Sequence, residues 1–501
     1  MRFTNLTRGA GIGSNCYRLD LPEGSVILDC GMHPEHVGHD ATPMLEEIES
    51  GSIRSTILTH AHQDHVGCLP LLQSHQPGMP VLMTTGTARI ADVMLHNSVN
   101  VMNRQQEELR LVDYPLFSHR AIELASRMWR HCPLERPLSL DGERIGGGSA
   151  STTVTFHDAG HILGSAGVMI HSEGKKFFYT GDVNFEDQTI QTGARFPEGP
   201  VDVLLMETTR GNAPVPEGFT RAKEEVRFAK AVAAALEEGA SVTIPVFALG
   251  KTQEVMTLLW QMQREQIIPP TPLYVGGLSS KITAVYDTMA AQVPRKLPNL
   301  RLMYEVAPYV AGGAEIQSLN PRKRAIYALS SGMMTENTLS NIFARKVLPD
   351  PSQYLFFVGY ADPNSPAGHV RNAEQGSNVQ LTSAGAPVPF HCHREVFTFS
   401  AHAQRDDLLS YAIKVRPKTI LLVHGDDPAI EWFKRELYSA LPETKVIAPP
   451  PGQTIELCDK KGYKVKIVTR LKGYKVEWLR PVKRRSLRYL PFFNILTLSR
   501  F

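Results

Sequence analysis

The sequence predicts an α/β protein of at least two domains, and three observations carry that reading. At 501 residues the chain is too long for one ordinary core. Apolar, β-rich runs alternate with amphipathic helical stretches along most of it. Residues able to bind metal or move protons stand just past the ends of several of those runs, most densely in Thr59-His60-Ala61-His62-Gln63-Asp64-His65.

Composition narrows the class. With 42% hydrophobic and 21% charged residues, the chain has the make-up of a soluble globular protein. No apolar run approaches the roughly 18 residues of a membrane span. The N-terminus, MRFTNLTRGAG, lacks the apolar centre of a secretory signal. Six cysteines (Cys16, Cys30, Cys68, Cys132, Cys392, Cys458) are scattered without paired spacing. They read as reduced thiols of a cytoplasmic protein, not as a disulfide framework or a zinc finger.

Taken in order, Cys16–Leu19 and Ser25–Cys30 read as strands. Gly9, Gly11 and Gly13 miss the spacing of a dinucleotide fingerprint and read as a turn. Asp29 is either a turn residue or a carboxylate orienting metal-bound histidines. The histidine cluster follows a strand ending at Leu58 and precedes helically spaced Val66, Leu69 and Leu72. A helix is expected from about Thr87 to Trp129, then a loop at Gly146-Gly147-Gly148 and strands at 153–156, 176–180 and 203–206. His161 lies among small residues, Asp182 ends a strand as either a functional carboxylate or a cap, and Glu207 ends the next.

From Arg221 onward, helices (221–237, 253–260, 282–289) alternate with strands (241–246, 272–277, 324–329, 354–358), which predicts a second, mostly parallel α/β domain. Gly250-Lys251-Thr252 looks like the end of a phosphate-binding loop, but Pro245 stands where its first glycine belongs. His391 and His393 alternate on a strand and read as structural. His402 and His424 again stand just beyond strands.

A net charge of +3 conceals a split. Residues 458–501 carry 13 Lys+Arg against 2 Asp+Glu, leaving 40 against 48 in the body. Lys461-Gly462-Tyr463-Lys464-Val465 recurs as Lys472-Gly473-Tyr474-Lys475-Val476, which suggests a hairpin. Such a basic, tyrosine-bearing tail either tracks a polyanion or is a solvated extension that supports a homo-oligomer.

Within the cluster, His60 and His62 can converge on one ion while Asp64 and His65 turn to a second. Zinc takes imidazole and carboxylate ligands at about 2.0–2.2 Å and needs three or four per site, so remote ligands are required. His161, Asp182, His402 and His424 are the candidates, and Asp182, with two oxygens, is the natural bridge. Two ions about 3.5–4 Å apart can activate water and stabilise phosphoryl charge.

THAHQDHVG, HDAGHILGSAG and YTGDVN, in that order, resemble the metallo-β-lactamase superfamily. Downstream, LLMETTRG, IPVFALGKTQE, ALSSGMMT, FFVGYADP, FSAHAQRDDL and LLVHGDD resemble the β-CASP nucleases, which include ribonuclease J and the endonuclease of mRNA 3′-end processing. The resemblance covers residues 1–457. It implies an αββα metallo-β-lactamase sandwich (1–210 and 386–457) with an inserted α/β β-CASP domain (211–385) and a basic C-terminal extension (458–501).

It further implies two zinc ions, with manganese as the alternative. His60, His62 and His161 would hold one, Asp64, His65 and His424 the other, and Asp182 would bridge them. Asp64 and Asp182 would thereby be catalytic. His402 would be the general acid, oriented by Glu207, and Ser330, Ser331 and Gly332 would contact substrate. The implied activity is a zinc-dependent phosphodiesterase cleaving single-stranded RNA through a metal-bridging hydroxide. In this family a histidine at the position of His424 goes with RNA substrates.

Two departures stand out. Arg210 replaces a tyrosine common in relatives, which either adds a phosphate contact or has no consequence. Tyr274–Ser279 lacks the usual aspartate-serine. Rival readings are a DNA nuclease of the same fold and a nucleic-acid-binding subunit that does not cleave; the complete ligand set argues against the second.

Overall fold

The structure, a computed structural model, describes residues 1–9, 11–145 and 151–457. The loop expected at Gly146–Gly148 and the hairpin expected in the tail lie outside these residues.

Two mixed sheets face each other. The first has seven strands, in the order Thr454–Glu456, Arg2–Asn5, Tyr17–Leu21, Gly24–Leu28, Ile53–Ile57, Val81–Thr84 and Trp129–Cys132. The second has six: Lys445–Ile447, Thr419–Val423, Val203–Glu207, Lys175–Tyr179, Ala166–Ser172 and Thr152–Asp158. Because strand side chains alternate between faces, Val203 and Leu205 point inward, toward Phe3, Leu19, Leu28 and Ile57 of the first sheet. Leu204 and Met206 point outward, onto the helices Arg405–Val415 and Asp427–Ala440. On the other outer face, Leu69–His75 and Thr85–Leu109 cover Ile27, Ile53, Val81 and Met83. The result is an αββα sandwich.

The chain leaves the second sheet after Glu207 and re-enters it at Thr419, on the neighbouring parallel strand, with Glu207 opposite Val423. Between these points it builds a third sheet of six parallel strands: Tyr309–Ala311, Leu273–Gly276, Ile326–Leu329, Val242–Pro245, Tyr354–Phe357 and His393–Val396. Helices flank both faces, as parallel sheets require. Among them, Arg221–Glu237 begins where Thr220 accepts the Lys223 N–H, and it buries Phe228, Val232 and Leu236. Since His393–Val396 pairs with Tyr354–Phe357, sheet membership alone puts residues beyond 385 on the inserted side.

One element differs from expectation. The helix foreseen over 87–129 is Thr85–Leu109, then a loop, then His119–Ala125. Arg110 takes a left-handed conformation (φ 52°) that ends the first helix. Trp129 opens the edge strand Trp129–Cys132. Among the described residues, no helix is long and apolar enough to cross a membrane.

Candidate metal centre

The seven expected ligands meet at one edge of the sandwich, although they come from both ends of the chain. His60, His62, Asp64 and His65 occupy the loop after Ile53–Ile57 and the short helix Gln63–Val66. That loop lies so close to Gly31 that any Cβ there would overlap the Asp64 carbonyl oxygen. Asp182 follows Lys175–Tyr179 through Gly181, whose φ is 54° and whose added Cβ would lie 2.8 Å from Thr59 Cβ. His424 follows Thr419–Val423 in a left-handed conformation of its own (φ 54°). Non-glycine residues rarely adopt it, and here it faces the site.

Among the described residues three groups could hold a metal: His60, His62, His161 and Asp182; Asp64, His65 and His424; and Asp182, Glu207 and His402. The first two contain the seven expected ligands, and Asp182 belongs to both of these by contact. His62 Nδ1 lies 3.1 Å from His60 Nε2 and 3.1 Å from His161 Nε2. Asp182 Oδ2 lies 3.5 Å from His60 Nε2 and 3.6 Å from His161 Nε2. Its Oδ1 faces the other way, 3.4 Å from His65 Nε2 and 3.2 Å from His424 Nδ1. Asp64 Oδ2 completes that second group, 3.0 Å from His424 Nε2 and 3.6 Å from His65 Nε2.

The outer hydrogen bonds explain what the inner atoms offer. His161 Nδ1–H donates to the Ala401 carbonyl at 2.7 Å, and His65 Nδ1–H donates to Asp29 Oδ2 at 2.8 Å. Thr59 gives its hydroxyl proton to Asp29 Oδ2 and so receives His60 Nδ1–H at 3.1 Å. In these three rings the tautomer assigned by the network turns the Nε2 lone pair inward. Lone pairs and carboxylate oxygens then face one another, and at His65 the carboxylates favour an added Nε2 proton that a bound cation would displace. Asp182 Oδ1 is buried without a hydrogen-bond partner. A cation is the species that satisfies such a set, so the residues fit metal ions.

Titration follows the same logic. Burial, with neighbouring histidines, holds His60 and His161 far below the ordinary imidazole value and His62 down to about 4. His65 goes the other way, because Asp182, Asp64 and Asp29 outweigh its burial. Burial would raise Asp64 and Asp182, yet surrounding histidines hold both low, so both are carboxylates.

His402 stands on the open side, with Nε2 4.0 Å from Asp182 Oδ2 and Nδ1 3.1 Å from Glu207 Oε2. The Val183 N–H donates to Glu207 Oε1 at 2.7 Å and fixes the carboxylate. Although burial opposes it, Glu207 and Asp182 raise the imidazole's pKa. His60, His65 and Asp182 are at most 2% exposed, whereas Asp64 (17%) and His402 (23%) face the cleft.

Other expected residues stand apart. Ser330, Ser331 and Gly332 follow Ile326–Leu329 in the inserted sheet, where Gly332 packs on the Phe247 ring. They join no ligand group. His393 stacks on Tyr354 at 4.5 Å, and neither it nor His391 enters one. Asp29 orients histidines, the second of its two readings. Sequence reasoning missed Thr59, Tyr179 and Thr209. Tyr179 donates to Asp29 and Thr209 Oγ1 lies 2.9 Å from His424 Nδ1, but threonines and tyrosines at strand ends carry no distinctive signal.

Comparison with known families follows the chain in order. The metallo-beta-lactamase superfamily matches residues 9–95, the Beta-Casp domain 252–370, and the Zn-dependent metallo-hydrolase RNA specificity domain 387–449. The chain belongs to the β-CASP family of the metallo-β-lactamase superfamily.

Among its relatives, Endoribonuclease YSH1 of Eremothecium gossypii is 26% identical, over 87% of this β-CASP chain and 56% of the relative. Transcription termination factor FttA of Methanothermobacter thermautotrophicus is 27% identical, over 83% and 65%. Cleavage and polyadenylation specificity factor subunit 3 of Dictyostelium discoideum is 26% identical, over 91% and 57%. The β-CASP chain thus spans 56–65% of the length of these three relatives. A solved structure of a protein of unknown function from Enterococcus faecalis shares the fold, with a TM-score of 0.52 and 14% identity over 91% of this chain and 99% of that one.

Proposed function

We propose that this β-CASP protein is a metal-dependent nuclease that hydrolyses phosphodiester bonds in single-stranded RNA. The observation that carries the reading is the placement of Asp182, one oxygen toward each ligand group, with His402 beside it. Two zinc ions fit the set, with manganese as the alternative. His60, His62 and His161 would hold one, Asp64, His65 and His424 the other, and Asp182 both. The chemistry such ions supply when bound is Lewis-acid stabilisation of phosphoryl charge and acidification of water.

The chain's own residues do the rest. Asp64 and Asp182 remain ionised and keep the ligand groups in register. His402, charged by Glu207, presents a proton on Nε2 to the departing oxygen of the substrate. Glu207, itself held by the Val183 N–H, keeps that ring from turning. The buried far wall excludes bulk water and strengthens each of these interactions. Contact with the substrate strand falls to Ser330, Ser331 and Gly332, beside Phe247, as the family resemblance implies.

RNA as substrate is supported by the relatives named endoribonuclease and by the RNA specificity domain match, which spans His402 and His424. Matched single-stranded RNA and DNA of one sequence test it. Cleavage of RNA alone supports the reading, and preference for DNA overturns the substrate assignment. Stoichiometric binding without turnover overturns the assignment as a nuclease.

A further inference from the structure

One cation beside the site has nothing to hold. Among the described residues, the Arg210 guanidinium makes no hydrogen bond and no ion pair, and its Nε is buried without a partner. The other charged groups around it have partners of their own. Lys251 donates to the Phe399 carbonyl, and Arg221 pairs with Glu254 and Glu225. Arg405 lies over the Trp432 ring at 4.5 Å and donates to the Gly211 carbonyl. The Glu207 carboxylate, whose charge acts on Arg210, is filled by His402 and the Val183 N–H. Lys251 is close enough to add a like charge. A half-buried guanidinium that meets only another cation and an occupied acid is costly unless an anion joins it.

Hydrogen bonds pin the turn that carries Arg210. Gly211 N–H closes the turn on the Thr208 carbonyl at 2.9 Å, and Thr208 Oγ1 donates to Val423 O at 3.0 Å. Thr209 Oγ1 contacts His424 Nδ1 at 2.9 Å. Arg210 therefore projects from a turn fixed between a ligand, His424, and Glu207, the partner of His402. It lies near enough to Glu207, the partner of the proposed proton donor His402, for the two charges to interact. A planar fork of N–H donors suits a phosphate with two acceptor oxygens.

Resting on the nuclease reading, we propose that Arg210 binds a phosphate of the substrate backbone, the one next to the scissile phosphate on the leaving-group side. The contact holds the departing strand and sets which linkage enters the site.

The test uses the full-length, metal-loaded protein with Arg210→Gln and Arg210→Lys. Probes are single-stranded RNAs carrying one uncharged methylphosphonate at each linkage in turn. KM and kcat are measured on the wild type and both variants. Binding is followed by fluorescence anisotropy in a slow-cleaving His402→Ala background. Arg210→Gln should weaken binding on the order of ten-fold and raise KM accordingly, as loss of a charged hydrogen bond does, with kcat little changed. The slope of log affinity against log salt should fall by about 0.7, one phosphate contact on a single strand. Arg210→Lys should keep the slope and part of the affinity.

With Arg210 present, one methylphosphonate position on the leaving side should cost as much as the substitution, and Arg210→Gln should abolish that cost. Should Arg210→Gln fail to fold, the same scan on Arg210→Lys decides, because the cost must shrink at that one position. Unchanged binding in Arg210→Gln, or an undiminished cost at every linkage, overturns the proposal while leaving the nuclease reading intact. A wild-type protein that neither binds nor cleaves RNA overturns both.

Discussion

His65 Nδ1 lies 2.8 Å from Oδ2 of Asp29, a residue with no exposed surface and a left-handed backbone (φ 56°). The same carboxylate accepts the Thr59 N–H, the Thr59 hydroxyl and the Tyr179 hydroxyl, each at 2.8 Å. Three of these four donors meet on Oδ2 and one on Oδ1. Through them it orients His65 directly and His60 by way of Thr59.

Asp29→Asn should therefore act on metal binding before it acts on chemistry. An amide keeps one acceptor oxygen and turns the other into a donor. It must therefore face either the Thr59 N–H or the His65, Tyr179 and Thr59 hydroxyl donors with an N–H, and the network loses part of its hold on the rings. Affinity for zinc should fall roughly 10–100-fold. Titration against a chromophoric chelator measures it, and unchanged affinity would show that the ligands orient themselves.

His402→Ala and Glu207→Gln should separate metal binding from turnover. Neither side chain belongs to the two groups that contain the seven expected ligands, so both proteins should retain the wild-type metal content. Loss of a positioned general acid should lower kcat by about 10²–10⁴-fold, with the larger loss in His402→Ala. Elemental analysis beside single-turnover cleavage is the check. Equal loss of metal and activity would assign His402 to the ligand set instead.

Much of this site was legible in the sequence, for a physical reason. Two ions held side by side need many ligands in little space, and His60 to His65 supplies four from six consecutive residues. Asp182 and His424 could be named because each stands beyond an apolar strand, and a parallel register with Val203–Glu207 brings those strand ends together. His161 stood out as a histidine among small residues, past a strand that pairs antiparallel. Glu207 and His424 become neighbours only because the inserted domain leaves and re-enters on adjacent strands. Less was legible where side-chain chemistry is ordinary. Trp129–Cys132 is a short, half-exposed edge strand without alternation, so it passed for the end of a helix. Thr59 and Thr209 act through single hydroxyls that no spacing announces.

Gly31→Ala should disable the site from behind. Its methyl would overlap the Asp64 carbonyl oxygen, which is backbone and cannot step aside cheaply. Displacing that loop moves Asp64 and His65 together. The variant should melt several degrees lower, as a loss of about 1–3 kcal/mol from overpacking implies, and it should not regain stability when zinc is added. Thermal melts with and without zinc test both parts.

Lys251 gives the protein a pH dependence away from the metals. Burial first, then Arg221 and Arg210, pull its pKa from 10.5 down to about 7. Between those values the unfolded chain binds a proton that the folded chain does not. Stability should fall as pH drops from 10.5 toward 7 and level off below that. Lys251→Met removes this dependence, so its stability should change less than the wild type's between pH 7 and 9. Denaturant melts at both pH values compare the slopes, and equal slopes would place the lysine's charge in solvent.

The central claim, metal-dependent cleavage of RNA by the Asp182-bridged cluster, is tested most directly by assaying the wild type and Asp64→Ala together. Single-stranded RNA labelled at each end in turn reports cleavage, and elemental analysis reports metal. The wild type should carry about two zinc ions per chain. It should cleave the RNA, stop on chelation and recover when zinc or manganese is restored. Asp64→Ala, folded by circular dichroism, should lose metal and cleavage together. Full cleavage by Asp64→Ala, or by the metal-stripped wild type, would contradict the account.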